Sequence, residues 1–411
     1  QEKAFEILEG ANIYDDQFVF LREVIQNALD ACKVQMWRDL REERYRGWIT
    51  GPIDSTIQPF EIKDEIFKNY VVQVKVCDFD KDHVEVIVKD NGTGISVEQF
   101  KKICNVGVSY FGDRERKREI ESMPAWLRPT AGFGIGLQSI FLVAEEFSIY
   151  SKSSDDHGIR ATIASSRKGG YVEVMRDDTL RSRGTEIHVV LPRDLDFRID
   201  VMSNTSKYIE TEYDPFTNKE DTVYYAIWDM LRTTMGKTYF PVTVLFNDIT
   251  DTIDAECFDA LEDCATNERY KFQRLPYFGM ELWDKQTCTR ICIRLGNAYG
   301  ICTRHCFFKG MKIKNGAFFG FNYKGIEVEA DFYGLDAKET LTLDRRRVKR
   351  EAVEQFLKIL DSAVDFYLAE IKEALLAKWK NRKAWEIVKI YVYWCVVPLK
   401  MKVGLLEKYE N

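Results

Sequence analysis

The run Gly132-Phe133-Gly134-Ile135-Gly136, continued by Leu137-Gln138-Ser139-Ile140-Phe141-Leu142-Val143-Ala144, constrains this chain more than any other stretch. Glycines at alternate positions free the backbone of Cβ atoms, so its N–H groups can close on an anion that other residues would hold away. The amphipathic run behind them offers a helix N-terminus to the same anion, and the whole reads as a phosphate cradle. Glycine-rich turns also recur for steric reasons alone. What raises this one is its company: Glu23-Val24-Ile25-Gln26-Asn27-Ala28-Leu29-Asp30-Ala31 upstream, then Asp90-Asn91-Gly92-Thr93-Gly94, and Gly184-Thr185-Glu186-Ile187 downstream.

A length of 411 residues suggests two or three domains, at ~150 residues per domain. With 45% hydrophobic residues, the chain has the composition of a packed globular protein rather than a disordered one. Its net charge of −7 argues against a global footprint for nucleic acid or an anionic membrane, although Arg114–Arg118 and Arg345–Arg350 are locally basic. The cysteines, Cys288, Cys292, Cys302 and Cys306 among them, lack the spacing of a zinc knuckle, so reduced thiols in a cytosol are the simpler expectation. No apolar stretch reaches the ~18 residues of a membrane span. The start at Gln1 suggests a piece of something longer.

Periodicity organises the rest. Leu21, Val24, Ala28, Ala31 and Val34 predict a helix from about 18 to 46, on which Glu23, Asn27 and Asp30 share one face. That face is either a solvated stripe or the wall of a ligand pocket. Alternation predicts strands at 71–76 and 83–89, the second running into Asp90, and four more at 147–151, 158–165, 170–176 and 184–191. Residues 96–130 have the profile of a long mobile segment rather than a core element. The first domain is expected to close near Pro192, with a linker over 194–221, a second α/β region from 222 to 350, and a helical segment over 351–411.

An adenine nucleotide requires an acceptor for its exocyclic amine, donors for its phosphates, a divalent cation and a base for water. Asp90, at a strand end beside glycines, suits the first role with Thr185 nearby, though a turn aspartate before Asn-Gly is also common. Asn27 offers an amide oxygen to Mg²⁺, which takes one or two protein oxygens besides phosphates and water. Glu23, one helical turn away, could activate the attacking water.

Glu23-x-x-x-Asn27-x-x-Asp30, Asp90-x-Gly92-x-Gly94, Gly132-x-Gly134-x-Gly136 and Gly184-Thr185 resemble the successive boxes of the Bergerat-fold (GHKL) ATPases, the superfamily of gyrase, heat-shock chaperones, histidine kinases and MutL. Within it, Gly132 to Lys152 most resembles the ninety-kilodalton heat-shock chaperones. Lys338 to Arg347 is similar to their middle-domain loop, whose arginine contacts the γ-phosphate; in that alignment Arg347 takes this role, with Arg345 and Arg346 as neighbours. Val34 stands where those chaperones have a lysine, Lys33 lies one place earlier, and the lid sequence Asn105-Val106-Gly107-Val108-Ser109 departs from their pattern.

The resemblance implies a two-layer α/β (α+β) sandwich of the Bergerat type over 1–193, with a lid at about 95–131, then an α/β middle domain and C-terminal helices. It implies ATP and Mg²⁺ as cofactors, slow ATP hydrolysis, Glu23 and Arg347 as catalytic residues, and Asn27 on the metal. It places ATP against Asn27, Asp30, Asp90, Gly92, Gly94, Ser109, Gly132, Phe133, Gly134, Ile135, Gly136 and Thr185. A cytoplasmic chaperone-like protein acting on a protein client or partner is expected, and a homodimer is allowed. Two other classes stay open: the ATPase module of a nucleic-acid or defence machine, and a nucleotide-binding module without useful turnover.

Overall fold

The computed structural model describes residues 19–103, 114–130, 136–154, 156–165, 168–193, with short interruptions 227–295, then 304–313, 326–342 and 347–378. The chain divides into two compact units, Gln1–Cys257 and Phe258–Asn411. Each combines a mixed or largely antiparallel sheet with helices, the α+β sandwich that the sequence predicts.

The first unit holds an eight-stranded sheet built from β1 (Val72–Asp78), β2 (His83–Asp90), β3 (Glu146–Lys152), β4 (Ile159–Ala164), β5 (Val172–Arg176), β6 (Gly184–Pro192), β7 (Val242–Phe246) and β8 (Ile249–Ile253). Their order is β5-β4-β3-β6-β2-β1-β7-β8. Alternation along β2 and β6 puts Val84, Val86, Val88, Ile187, Val189 and Leu191 on the buried face. Against it lies α1 (Val19–Asp39), which also packs on the 3-10 helices Ala125–Leu127 and Gly136–Leu142. Phe20, Leu21, Val24, Ile25, Leu29, Met36 and Trp37 are all buried, and so are the polar Glu23, Gln26, Asp30, Lys33, Gln35 and Asp39, so α1 is covered on most of its circumference.

Two expectations need correcting. The first unit does not close near Pro192: β7 pairs parallel with β1, from Val72↔Val242 to Val76↔Phe246, and β8 pairs with β7, so the sheet draws in residues assigned by sequence to the second domain. Alternation at Val242, Val244 and Phe246 announces a strand, but nothing local says which sheet receives it. Nor is 96–130 free of core structure. It contains α2 (Val97–Ile103) and α3 (Arg114–Ser122), and Phe100, Ile120, Met123, Trp126 and Leu127 are buried. The Trp126 indole donates to the Ile57 carbonyl at 2.7 Å.

The second unit has a seven-stranded sheet of β9 (Glu262–Asp263), β10 (Tyr270–Leu275), β11 (Gly279–Asp284), β12 (Thr289–Leu295), β13 (Arg304–Phe308), β14 (Met311–Ile313) and β15 (Ile326–Phe332), ordered β14-β13-β15-β12-β11-β10-β9. The last described helix, α4 (Val353–Lys378), lays Phe356, Ile359, Leu360, Ala363, Val364 and Tyr367 into the same core as Ile291, Ile293, Val328 and Phe332. Phe356 meets Phe332 at 4.3 Å between ring centroids, and Phe366 stacks on Tyr270 at 4.8 Å. Among the described residues, no helix is long and apolar enough to cross a membrane.

Gly184 joins the two halves of the first unit's site. Its φ is +131°, and a Cβ there would lie 2.0 Å from the Asp90 carbonyl oxygen. Gly184→Ala is therefore expected to destabilise the protein by about 2–3 kcal/mol. Thermal unfolding followed by circular dichroism should show the midpoint lowered by roughly 5–10 °C.

Candidate functional site

The candidate site lies where α1 crosses the ends of β2 and β6. From the helix come Glu23, Asn27 and Asp30 at i, i+4 and i+7; Glu23 and Asp30 are buried and Asn27 is partly so. A solvated stripe is thereby excluded for this face. Gly136 closes over it: a Cβ at that position would lie 2.8 Å from Glu23 Oε2 and 3.4 Å from Asn27 Nδ2. Glycine there is what lets the chain pass the two polar side chains so closely.

The strand side is built as tightly. Asp90 ends β2 opposite Thr185 of β6, and its Oδ1 accepts from the Gly92 amide at 2.8 Å. A Cβ on Gly92 would meet the Ala31 backbone at 2.5 Å, which sets how closely this turn sits on α1. Gly94 has φ +65°, and a Cβ would fall 2.0 Å from the Lys152 carbonyl oxygen. Ser151 ties three segments together. Its Oγ accepts from the Ile95 amide at 2.8 Å, lies 2.9 Å from Thr185 Oγ1, and donates to the Gly184 carbonyl at 3.1 Å.

Asp30 has a defined mechanical role. One carboxylate oxygen accepts from the Thr130 amide at 2.7 Å, the other from Gln26 Nε2 at 3.2 Å and from the buried Lys33 ammonium at 3.0 Å. Gln26 also reaches Thr130 Oγ1 at 3.2 Å. The helix thus grips the chain just before the glycine run. Lys33, one place from where the chaperone pattern has its lysine, is committed to this ion pair.

Burial shapes the electrostatics of Asp90. Removal from water pushes its carboxyl up to about 7, while the backbone amides of Gly92 and Thr185 and the charge of Arg183 pull the other way. Cys32, fully buried beneath the turn, has its thiol pushed well up by desolvation and by the Asp90 charge.

Sequence-predicted residues Glu23, Asn27, Asp30, Asp90, Gly92, Gly94, Gly136 and Thr185 come together in this region. Ser109, Gly132, Phe133, Gly134 and Ile135 lie outside the described residues. After Gly136 the chain forms a 3-10 helix, Gly136–Leu142, so the amphipathic run does not supply the α-helix expected behind the cradle. Arg347 belongs to the second unit. There, the bridge between Leu341 and Val348 closes its loop, and Arg347 exchanges backbone bonds with Thr342: its carbonyl accepts from the Thr342 amide at 2.9 Å, and its amide donates to Thr342 Oγ1 at 3.3 Å. Arg345 and Arg346 lie outside the described residues. Sequence reasoning missed Ser151 and Arg183. A serine in the buried phase of Phe147-x-Ile149-x-Ser151 could have pointed to the first.

The raised Asp90 carboxyl has a measurable consequence. Its folded value, about 7, exceeds its ordinary value of 3.8, so the folded state holds this proton more tightly than the unfolded chain does. Its contribution to stability is complete below pH ~4 and is lost as pH rises through about 7, on the order of 4 kcal/mol if fully expressed. Denaturant titrations between pH 4 and 8.5 should show this fall in the wild type, and Asp90→Asn should remove most of it.

No family model matches the chain. It is 27% identical over 199 residues to the chaperone protein HtpG of Rickettsia rickettsii, covering 46% of this chain and 27% of that protein. HtpG of Alkalilimnicola ehrlichii is 25% identical over 193 residues, covering 44% and 24%, and HtpG of Francisella tularensis subsp. holarctica is 25% identical over 187 residues, covering 43% and 24%. Each match spans about a quarter of the relative's length. Over a little under half of its own length, this chain is distantly similar to the HtpG chaperones.

Proposed function

We propose that the first unit binds ATP and, with Mg²⁺, hydrolyses it slowly, and that ATP-driven lid closure and rearrangement remodel a protein client or partner, as in a heat-shock chaperone of the ninety-kilodalton type. The observation that carries this reading is Asp90, a buried carboxylate fixed by the Gly92 amide at a strand end, on the same side of the sheet as Glu23 and Asn27. A buried acceptor calls for a donor, and the adenine amine is one.

In this reading Asp90 accepts from the exocyclic amine, and Thr185, positioned through Ser151, completes the base site. Asn27 turns its amide oxygen to the cation, which when bound neutralises phosphate charge. Glu23, buried one turn away, takes a proton from the water that attacks the terminal phosphorus, while the bond from that phosphorus to the bridging oxygen breaks and ADP leaves. Gly136 and the glycines before it let main-chain amides approach the phosphates. Asp30 lies with the ATP-binding residues, and its bond to the Thr130 amide supports it at the near end of that segment. Arg347 stabilises charge developing on the transferred phosphoryl group. The distant similarity to HtpG supports the chaperone part of the proposal. Nucleotide can drive such a switch only by favouring one conformation over another.

Three variants separate these roles. Asp90→Asn is expected to abolish ATP binding in calorimetry; unchanged affinity contradicts the adenine assignment. Glu23→Ala should retain binding and lose on the order of 10²-fold in phosphate release. Arg347→Ala should slow hydrolysis with little change in affinity, and an unchanged rate dismisses Arg347. Stimulation of turnover by DNA or RNA, and not by unfolded protein, would move the ATPase to a nucleic-acid machine.

A further inference from the structure

Arg183 is absent from the nucleotide roles assigned above, yet it is built into the turn that carries Asp90. It stands immediately before β6. Its Nε donates to the Gly92 carbonyl at 2.9 Å and to the Asn91 carbonyl at 3.4 Å, and its Nη2 donates to Asn91 at 3.3 Å. The same Nη2 lies 3.8 Å from Asp39 Oδ2 at the end of α1. Asp39 is itself fixed: it accepts from Tyr70 Oη at 2.6 Å and from Gln35 Nε2 at 2.6 Å, with Arg44 at 4.0 Å. A cationic fork anchored on the helix therefore holds two successive carbonyls of the Asp90 turn. Asn91 secures the turn toward β1, donating to the Asn69 carbonyl at 2.7 Å and accepting from the Val71 amide at 3.0 Å.

Carbonyl dipoles do not cancel the guanidinium charge, and that charge acts on Asp90. Among the described residues, these groups face Asp90. From α1 comes the Cys32 thiol, with Lys33 acting on it; across β1 stands Val72, across β6 Thr185, and from the preceding turn Arg183. Among the described residues, Arg183 is a cation whose charge favours the ionised carboxylate.

We propose that Arg183 is a positioning residue for nucleobase recognition, holding the Asp90 turn in place with its charge favouring the acceptor-only form of Asp90, so that the pocket takes a purine bearing an exocyclic amine and rejects one bearing a carbonyl there. This rests on the nucleotide reading above. A carboxylate only accepts, whereas a neutral carboxyl also carries an O–H that can donate to a purine carbonyl. Without Arg183, Asp90 takes up its proton at higher pH, and the distinction between amine and carbonyl weakens. A mismatched acceptor pair in a buried site is what normally enforces that distinction.

The test is calorimetry of ADP and inosine diphosphate binding between pH 5.5 and 9 on the wild type, Arg183→Gln and Arg183→Lys. ADP affinity of the wild type should rise with pH to a plateau. In Arg183→Gln the midpoint should move up, with several-fold weaker ADP binding at pH 7 and a smaller preference for ADP over inosine diphosphate. Arg183→Lys keeps the charge but not the fork. Its midpoint should stay, while plateau affinity falls several-fold. An unmoved midpoint in Arg183→Gln, or an undiminished plateau in Arg183→Lys, overturns the proposal even if the other variant does not fold. A wild type that binds neither nucleotide at any pH overturns the nucleotide reading itself.

Discussion

The first unit is organised around a carboxylate that has been taken out of water. Leaving Asp90 buried costs free energy unless donors meet it, and the chain supplies them through the Gly92 amide, the Thr185 backbone and the field of Arg183. Each of those partners needs its own geometry. Gly184 must hold a left-handed conformation, Gly92 must sit on the Ala31 backbone, and Gly94 must pass the Lys152 carbonyl. The close approach of α1, β2, β3 and β6 follows from these contacts, and it brings Glu23 and Asn27 to the same side of the sheet as Asp90.

The helix contributes more than a wall. At one point along α1, Asp30 and Gln26 hold Thr130, at the threshold of the glycine run. Towards its C-terminal end, Asp39, braced by Gln35, holds Tyr70 and Arg183, and through Arg183 the Asp90 turn. One rigid element thus holds both Thr130, just before the segment read as a phosphate cradle, and the turn read as a base site. A displacement of α1 would be felt at both, which is the kind of coupling a nucleotide-dependent switch requires.

Much of this was legible in the sequence because it follows from short-range periodicity. The alternation of β3 to β6 and the 3.6-residue spacing of α1 each depend on local side chains. Membership of β7 and β8 in the first sheet was not legible, since alternation at Val242, Val244 and Phe246 gives a strand its faces but not its neighbours. The helices inside 96–130 were hidden by their charge: Arg114–Ser122 is polar nearly throughout and buries only Arg116 and Ile120. Glu23, Asn27 and Asp90 were found because their residue types and offsets carry chemistry. Arg183 was not, because an arginine in the polar turn Arg181-Ser182-Arg183 looks solvated until the carbonyls it holds are seen.

Proton release on nucleotide binding is the most direct probe of this account. Calorimetric titration of ADP at pH 6.5 in two buffers of different ionisation enthalpy should reveal release of a substantial fraction of a proton, vanishing by about pH 8.5, as an amine donor draws Asp90 into its ionised form. Binding without proton exchange at pH 6.5, or no binding at all, would contradict the central role given to Asp90.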